Sequence, residues 1–180
     1  DSVPVVADFI LISDEFQSSP APIYVVVEGD VVSEGGKEAV REVIGVLGQD
    51  ERVTVVISDL WSTLDSTRGS DSELSSLMLS VESGEDGSWS DLREWLTGTD
   101  AGRDVSSGLL SGDGQQTLVS FQAATLDWSD TNSFESELSS MLSASVSESG
   151  FTADLSGRSL ILAQITSDVA EAAVLSTVIV

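Results

Sequence analysis

The 180-residue chain contains neither cysteine nor histidine. Without cysteine, disulfides and thiolate metal sites are excluded. Without histidine, the serine–histidine–aspartate and cysteine–histidine catalytic machineries are excluded, together with every histidine-ligated zinc centre. Two large classes of enzyme and the commonest protein zinc sites are therefore ruled out by composition alone.

Basic residues are also scarce. Seven Lys and Arg, of which Lys37 is the single lysine, stand against 31 Asp and Glu, for a net charge of -24. Nucleic acid is excluded as a partner because phosphate binding needs clustered Lys and Arg. Such a charge repels itself in dilute buffer, whereas the screening length falls to about 3 Å in molar salt. The composition therefore predicts a salt-adapted surface, typical of a high-salt archaeon, rather than a specific cationic partner.

Length and apolar content favour one folded domain over residues 1–180. The apolar share of 41% is enough for a real core, and the length suits one domain or two very small ones. The chain begins at Asp1 with neither an initiator methionine nor a signal peptide. We interpret this start as that of an excised fragment.

The first half has the pattern of a βαβ unit, which we place at residues 23–60. The run "IYVVVEGD", closed by Gly29, is typical of a strand buried on both faces. A helix follows, whose apolar positions recur at helical spacing and whose C-terminal stop is predicted at Gly48. "RVTVVISD" then predicts a second buried strand.

The middle of the chain, residues 61–115, predicts an insertion of short helices and loops rather than a separate domain. Ser70 and Glu73 have the spacing of a capping box ahead of one amphipathic helix. "SWSDLREWL" predicts another. The stretch "TGTDAGRDVSSGLLSGDGQQ" is rich in Gly, Ser and Asp and predicts a loop with one helical turn.

The opening pattern recurs over residues 116–157. "TLVSFQAATLD" predicts a strand with one solvent-exposed face. Asn132 and Glu135 are predicted to cap the helix that follows, and "GFTADLSG" predicts a short strand after it. Two βαβ halves predict an α+β, ferredoxin-like sandwich, in which a four-stranded antiparallel sheet carries helices on one face. Long terminal helices are predicted to flank it, with a helix and linker over 1–22 and a helix over 158–180.

Acidic residues offer only weak candidates for chemistry. Glu28 and Asp30 flank a glycine and have the form of an acid/base pair for a hydrolase, but a turn at a strand end explains them better. The segment "DWSDTNSFE" superficially resembles an EF-hand loop, yet its ligand spacing fails and the central glycine is missing. Helix capping explains this segment better than a weak, nonspecific cation site. We therefore predict no catalytic residue, no cofactor and no metal site, and a chain that is not an enzyme.

Four tryptophans are the strongest candidates for contact with a ligand. Exposed aromatics in an insertion of short helices can line a groove for an apolar molecule or pack against a neighbouring domain. Burial beneath the insertion is the simpler interpretation. The candidates are Trp61, Trp89, Trp95 and Trp128.

The two ends of the chain lack basic residues, with none before Lys37 and none after Arg158. If a membrane segment flanked each end, the positive-inside rule would place the domain on the outer side. The last predicted helix begins amphipathic and becomes uniformly apolar toward Val180. Its apolar end is far shorter than the ~20 residues that span a bilayer, so we expect it to be the first turns of a membrane helix.

Three segments resemble the extracytoplasmic porter loop of RND-superfamily exporters of the MMPL or hydrophobe-exporter type. "IYVVVEGDVVSEGGKEAVREVIGVLGQDERVTVVIS" is similar to its start, and "TLVSFQAATLDWSDTNSFESELSSML" to its second half. "GFTADLSGRSLILAQITSDVAEAAVLSTVIV" resembles its exit, where a strand ending in Gly157 precedes the second transmembrane segment. The matching positions of the start are Val25 to Val27, Gly29, Asp30, Val53, Val56 and Ser58.

The resemblance implies a proton-driven exporter of hydrophobic or amphiphilic molecules in the cell membrane, with this domain on the extracytoplasmic side. Its implied partners are the rest of the exporter chain, including transmembrane helices and a second porter domain, and a hydrophobic or lipid cargo; oligomeric assembly is left open. Proton-coupling residues would lie in the transmembrane helices. The alternative is a stand-alone ferredoxin-like binding or interaction domain on the surface of a halophile. It predicts that the last helix buries Val174, Leu175, Val178 and Ile179 within its own domain.

Overall fold

The computed structural model describes residues 22–124 and 128–156, which form four strands and six helices. The strands are β1 (Ile23–Glu28), β2 (Val53–Ser58), β3 (Gln116–Ala123) and β4 (Thr152–Ser156). The helices are α1 (Glu34–Gln49), α2 (Leu60–Thr67), α3 (Ser72–Ser83), α4 (Ser88–Gly98), α5 (Asp100–Ser106) and α6 (Trp128–Val146).

The strands form one antiparallel sheet in the order β2-β3-β1-β4. α1 connects β1 to β2, and α6 connects β3 to β4, so two βαβ halves interlock as predicted for a ferredoxin-like fold. Helices α2 to α5 come between β2 and β3 and constitute the predicted insertion of short helices. The helices predicted for the two ends of the chain lie outside the described residues.

The main core lies between one face of the sheet and helices α1 and α6. Val25 and Val27 alternate along β1 with less buried neighbours, as expected of a strand with one fully covered face. Full burial of each such side chain contributes about 1.5–3 kcal/mol relative to exposure. The fully buried residues that face them include Val43, Leu47, Phe121, Phe134, Leu138 and Leu142.

The prediction that β1 and β2 are buried on both faces is wrong. Tyr24 and Val26 of β1 are only half-buried, and Val55 and Ile57 of β2 are each 49% exposed. β2 is an edge strand, and register shifts interrupt its pairing with β3. Because β-branched residues favour strands whichever face is covered, a run of valines does not indicate how many faces are packed.

Two predicted helix ends lie one to two residues away from the observed ones. α1 continues through Gly48 and is capped by Asp50, whose backbone N–H donates to Leu47 O. α3 is capped by Asp71 rather than Ser70, because the Asp71 carboxylate accepts the N–H groups of both Glu73 and Leu74. Aspartate is among the best N-cap residues, and it displaces the serine beside it.

Two further helices differ from the prediction. The stretch expected to hold one helical turn forms the two-turn helix α5, which is capped by the Thr99 hydroxyl. α6 begins at Trp128, so Asn132 lies inside the helix and is not its cap. In both cases the helix packs on a neighbour, α5 on α4 and α6 on α1 and β4, and this packing outweighs weak local propensity.

The insertion lies at the end of the sheet where β1 and β2 finish. Asp59, directly after β2, caps α2 by accepting the backbone N–H and the hydroxyl of Ser62. From α4, the Arg93 guanidinium donates to Val32 O at 3.0 Å and pairs with Asp30, both in the loop after β1. The insertion therefore lies opposite the end at which β1 begins and β4 finishes.

Candidate functional site

Two of the predicted aromatic residues meet at the junction of the insertion and α1. The rings of Trp61 on α2 and Trp89 on α4 are 5.8 Å apart and nearly perpendicular. Edge-to-face pairs of this kind contribute about 0.5–1.5 kcal/mol beyond area burial. The Lys37 ammonium lies 5.5 Å from the centroid of the Trp61 ring, within range of a cation–π interaction. The single lysine of the chain thus joins this aromatic pair.

The four candidate tryptophans differ in how far they reach the surface. Trp61 and Trp95 are 6% and 4% exposed and belong to the core beneath the insertion, while Trp89 is half-buried. The side chain of Trp128 lies outside what the structure describes. Among the three that are described, Trp89 is the residue that presents an indole surface for contact with a ligand. That contact stays a prediction.

The acidic candidates are held apart by separate partners. Gln116 Nε2 donates to Glu28 Oε1 at 2.5 Å, whereas Asp30 pairs with Arg93. Each carboxylate thus ties its strand end to a different element. Among the described residues, no group of three or more acidic side chains is placed to hold a metal ion. Asp127 of the EF-hand-like segment lies outside the described residues.

A groove on the helical side of the molecule was not predicted from the sequence. It has a volume of about 1130 Å³ and lies between the end of α1, the start of β2 and α6. Met141, 41% exposed, contributes its thioether to the wall. The two sides of the groove are roughly 90 residues apart in the chain, so no local sequence motif indicates that the groove exists. Around Met141 the lining residues are Val46, Gln49, Asp50, Glu51, Arg52, Ser136, Glu137, Ser140, Ala144 and Ser145.

One arginine organises the charges of this groove. The Arg52 guanidinium donates to both oxygens of Asp50, at 2.9 and 2.7 Å, and to Glu137 at 2.9 Å. The Arg52 Cζ atom also lies 4.9 Å from the centroid of the Phe134 ring. The hydrogen bond from Arg52 is the main cause that lowers the pKa of Asp50, and the hydrogen bond to Asp50 is the main cause that raises the pKa of Arg52. These contacts hold the charged groups of Asp50, Arg52 and Glu137 in place and link the start of β2 to α6.

Replacing Asp50 by Asn is expected to lower the free energy of unfolding by about 1.5–3 kcal/mol at neutral pH, because it breaks a nearly buried charge-assisted pair. The folded-state pKa of Asp50 lies below the ordinary 3.8. The contribution of ionised Asp50 to the free energy of unfolding is therefore fully present above the ordinary pKa of 3.8. It is lost as pH falls through the lower folded-state pKa. Denaturant unfolding of the unsubstituted protein and of Asp50→Asn should show a difference in the free energy of unfolding that becomes smaller at acidic pH.

The matched control for Asp50→Asn is Asp100→Asn. The Asp100 carboxylate pairs with Arg103 but is 98% exposed, and exposed pairs contribute little. A pH-independent effect of Asp50→Asn, or an equal effect of the two variants, would contradict a structural role for the Asp50–Arg52 pair.

Among the described residues, no helix is both long enough and apolar enough to cross a membrane. Comparisons with protein-family models, with curated proteins and with solved structures find no match to this chain. Inference of function therefore depends on the residues of this chain and on where the fold places them.

Proposed function

We propose that this chain is the extracytoplasmic porter domain of a proton-driven RND/MMPL-like exporter of hydrophobic or amphiphilic molecules, and that it is not an enzyme. One observation carries the proposal: the chain enters and leaves the sheet side by side. Tyr24, near the start of β1, is paired with Ser156, the last residue of β4. Opposed residues of an antiparallel pair are about 4.5–5.5 Å apart. A domain with adjacent ends fits between two consecutive membrane helices without distortion.

The position of the insertion supports the same assignment. It lies at the end of the sheet opposite Tyr24 and Ser156, held there by the contacts of Arg93 with Asp30 and Val32. In an exporter anchored through both ends of this domain, the insertion would lie far from the bilayer, in the extracytoplasmic path. The run from Val174 to Val180 carries no charged residue, as the proposal requires of a segment that leads into a membrane helix.

Trp89 is the residue proposed to contact cargo. Its half-buried ring rests against the buried Trp61, which supports it from behind. A rigid aromatic surface of this kind binds apolar molecules without a fixed pattern of hydrogen bonds. That property suits an exporter of hydrophobic or amphiphilic molecules.

The proposal is tested first in the parent gene and then in cells. We expect an apolar segment of about 20 residues immediately before Asp1 and another that continues beyond Val180. Because this domain has no cysteine, a Ser76→Cys variant, exposed on α3, offers a specific label site in a full-length protein whose other cysteines have been replaced by serine. It should react with a membrane-impermeant maleimide in intact cells, because the scarcity of basic residues near both ends favours the outer side.

The control is the unsubstituted full-length protein, together with a cysteine placed in a predicted cytoplasmic loop, which should label only after lysis. If the flanking apolar segments are missing, or if Ser76→Cys also labels only after lysis, the exporter assignment fails.

The stand-alone binding domain is the second candidate, and the exposed sheet face favours it. Val55 and Ile57, each 49% exposed, present apolar surface that a domain can use for binding. A parent gene without flanking apolar segments is the result expected for this candidate.

A further inference from the structure

The face of the sheet that points away from α1 and α6 is apolar and largely uncharged. Residues opposed across antiparallel strands share a face, and three such pairs, Tyr24 with Ser120, Val26 with Leu118 and Val55 with Gln122, define its centre. We call these six residues the open face. Val55 is 49% exposed, and Tyr24, Val26 and Leu118 are half-buried.

The open face differs in charge from the rest of the chain. None of its six residues is ionisable at neutral pH, although the chain carries 31 acidic residues and a net charge of -24. Acidic side chains lie at its margins, with Glu28 at the end of β1 and Asp154 on the edge strand β4. A charge-depleted apolar centre with a charged rim is the pattern of a protein–protein contact surface.

We propose that the open face is the contact surface for a second copy of this chain, in a two-fold dimer whose sheets pack face to face. The open face together with its acidic rim spans all four strands, which at ~4.8 Å spacing and about six residues each cover on the order of 400 Å² in projection. Because side chains protrude from the sheet, the solvent-accessible area of this face is larger than its projected area. The total buried by two copies thereby approaches the lower end of the roughly 1,200–2,000 Å² typical of stable interfaces.

The chemistry of the open face suits an identical partner better than a different one. A two-fold interface places the same patch on both sides, so it must be self-complementary. An uncharged patch meets an identical patch without like-charge repulsion. Ser120 is itself buried, and its hydroxyl is already hydrogen-bonded to that of Ser58 at 2.7 Å. The hydroxyl of Tyr24 and the amide of Gln122 each combine donor and acceptor capacity, so each can bond to a polar group of the facing copy. A cationic partner would instead be drawn to the acidic surface outside the open face.

Salt should control this dimer, because each copy carries a charge of -24. At low ionic strength the two charges repel over the screening length of about 10 Å, which shrinks to about 3 Å in molar salt. We therefore expect the 180-residue chain to be monomeric in dilute buffer and dimeric in about 2 M KCl. This inference does not depend on the exporter assignment.

Sedimentation equilibrium of the 180-residue chain in about 2 M KCl tests the proposal. Val55→Glu should weaken dimerisation by about 100-fold or more, because it puts an unpaired carboxylate from each copy into an apolar interface between two like-charged chains. Leu79→Glu is the matched control, since Leu79 is 60% exposed on α3, remote in sequence from the open face, and receives the same charge. It should leave the dimer intact. Val174→Glu tests whether the apolar C-terminal run causes association instead.

The proposal is overturned if the unsubstituted chain stays monomeric at high salt, or if Leu79→Glu or Val174→Glu dissociates it as much as Val55→Glu. A second measurement needs no substitution on the open face, so it decides the matter even if Val55→Glu fails to fold. Tyr24 is the single tyrosine of the chain, and incorporation of 3-fluorotyrosine gives one fluorine resonance from the open face. In high salt this resonance should shift on dilution as dimers separate, and a resonance independent of concentration contradicts the proposal.

Discussion

The thermal unfolding midpoint is expected to rise by about 10–20 °C when KCl is raised from about 0.05 M to about 2 M. The reason is the net charge of -24, since only seven Lys and Arg oppose 31 Asp and Glu. The five described arginines already form ion pairs with carboxylates. The remaining acidic charge repels itself, and salt removes that cost from the folded state.

The size of the salt effect follows from Coulomb's law with Debye screening. A charge of -24 on a sphere of about 20 Å radius has a repulsive energy on the order of 20 kcal/mol at 0.1 M ionic strength and ~8 kcal/mol at 1 M. The unfolded chain, with a radius of gyration near 45 Å, is repelled far less at either concentration. The difference, about 10 kcal/mol, is an upper bound because counterions gather near the charges. Half of it corresponds to 10–20 °C at about 2–4 °C per kcal/mol.

Differential scanning calorimetry across a KCl series measures this directly, and NaCl at equal ionic strength should give the same curve if screening is the cause. The Val55→Glu variant separates screening from association, because a monomer should keep the salt dependence. A midpoint that does not change between low and molar salt would contradict the assignment of a salt-adapted surface.

Gly102→Ala is expected to lower the free energy of unfolding by about 2–3 kcal/mol. Gly102 is buried on α5 where that helix crosses α4. An added Cβ would lie 2.7 Å from the Trp95 carbonyl carbon and 2.8 Å from Leu96 Cα, and closer still to the Trp95 oxygen. These are backbone atoms, which cannot rotate away as a side chain can. The two helices must therefore separate, and the core around Trp95 opens with them.

The control for Gly102→Ala is Gly45→Ala in the middle of α1. There the added Cβ meets no atom within 4 Å, and alanine favours a helix over glycine by about 0.5–1 kcal/mol. This variant should be stabilised by that amount. Urea unfolding of the two variants gives the comparison. If Gly102→Ala is stabilised like Gly45→Ala, the close packing of α5 on α4 is wrong.

Much of the fold could be predicted because its signals are local. Apolar positions recurring every three to four residues indicate α1, and dense β-branched runs indicate β1 and β2. Their order gives the two βαβ halves of the ferredoxin-like sheet. The errors occurred where local signals compete or say nothing about packing. Ser70 and Asp71 both favour a helix cap, and a run of valines is equally compatible with one covered face or two.

The candidate site was predictable only in part. The sequence singled out four tryptophans by residue type and, for Trp89 and Trp95, by their place in the insertion. It did not indicate that Trp61 and Trp95 are buried while Trp89 reaches the surface. Nor did it pair Arg52 with Glu137, which lies 85 positions further along the chain. Burial and pairing depend on which helices pack together, and periodicity does not report this.

The sequence by itself determined the order of the elements, the fold class and the acidic surface, because periodicity and charge are properties of neighbouring residues. Only the tertiary structure decided the edge-to-face contact of Trp61 with Trp89, the hydrogen bond from Arg93 to the loop after β1, and the uncharged open face. Each of these joins residues far apart in the chain. Their distances are set by how the sheet and helices pack, since packing free energy depends on the whole arrangement and not on local preference.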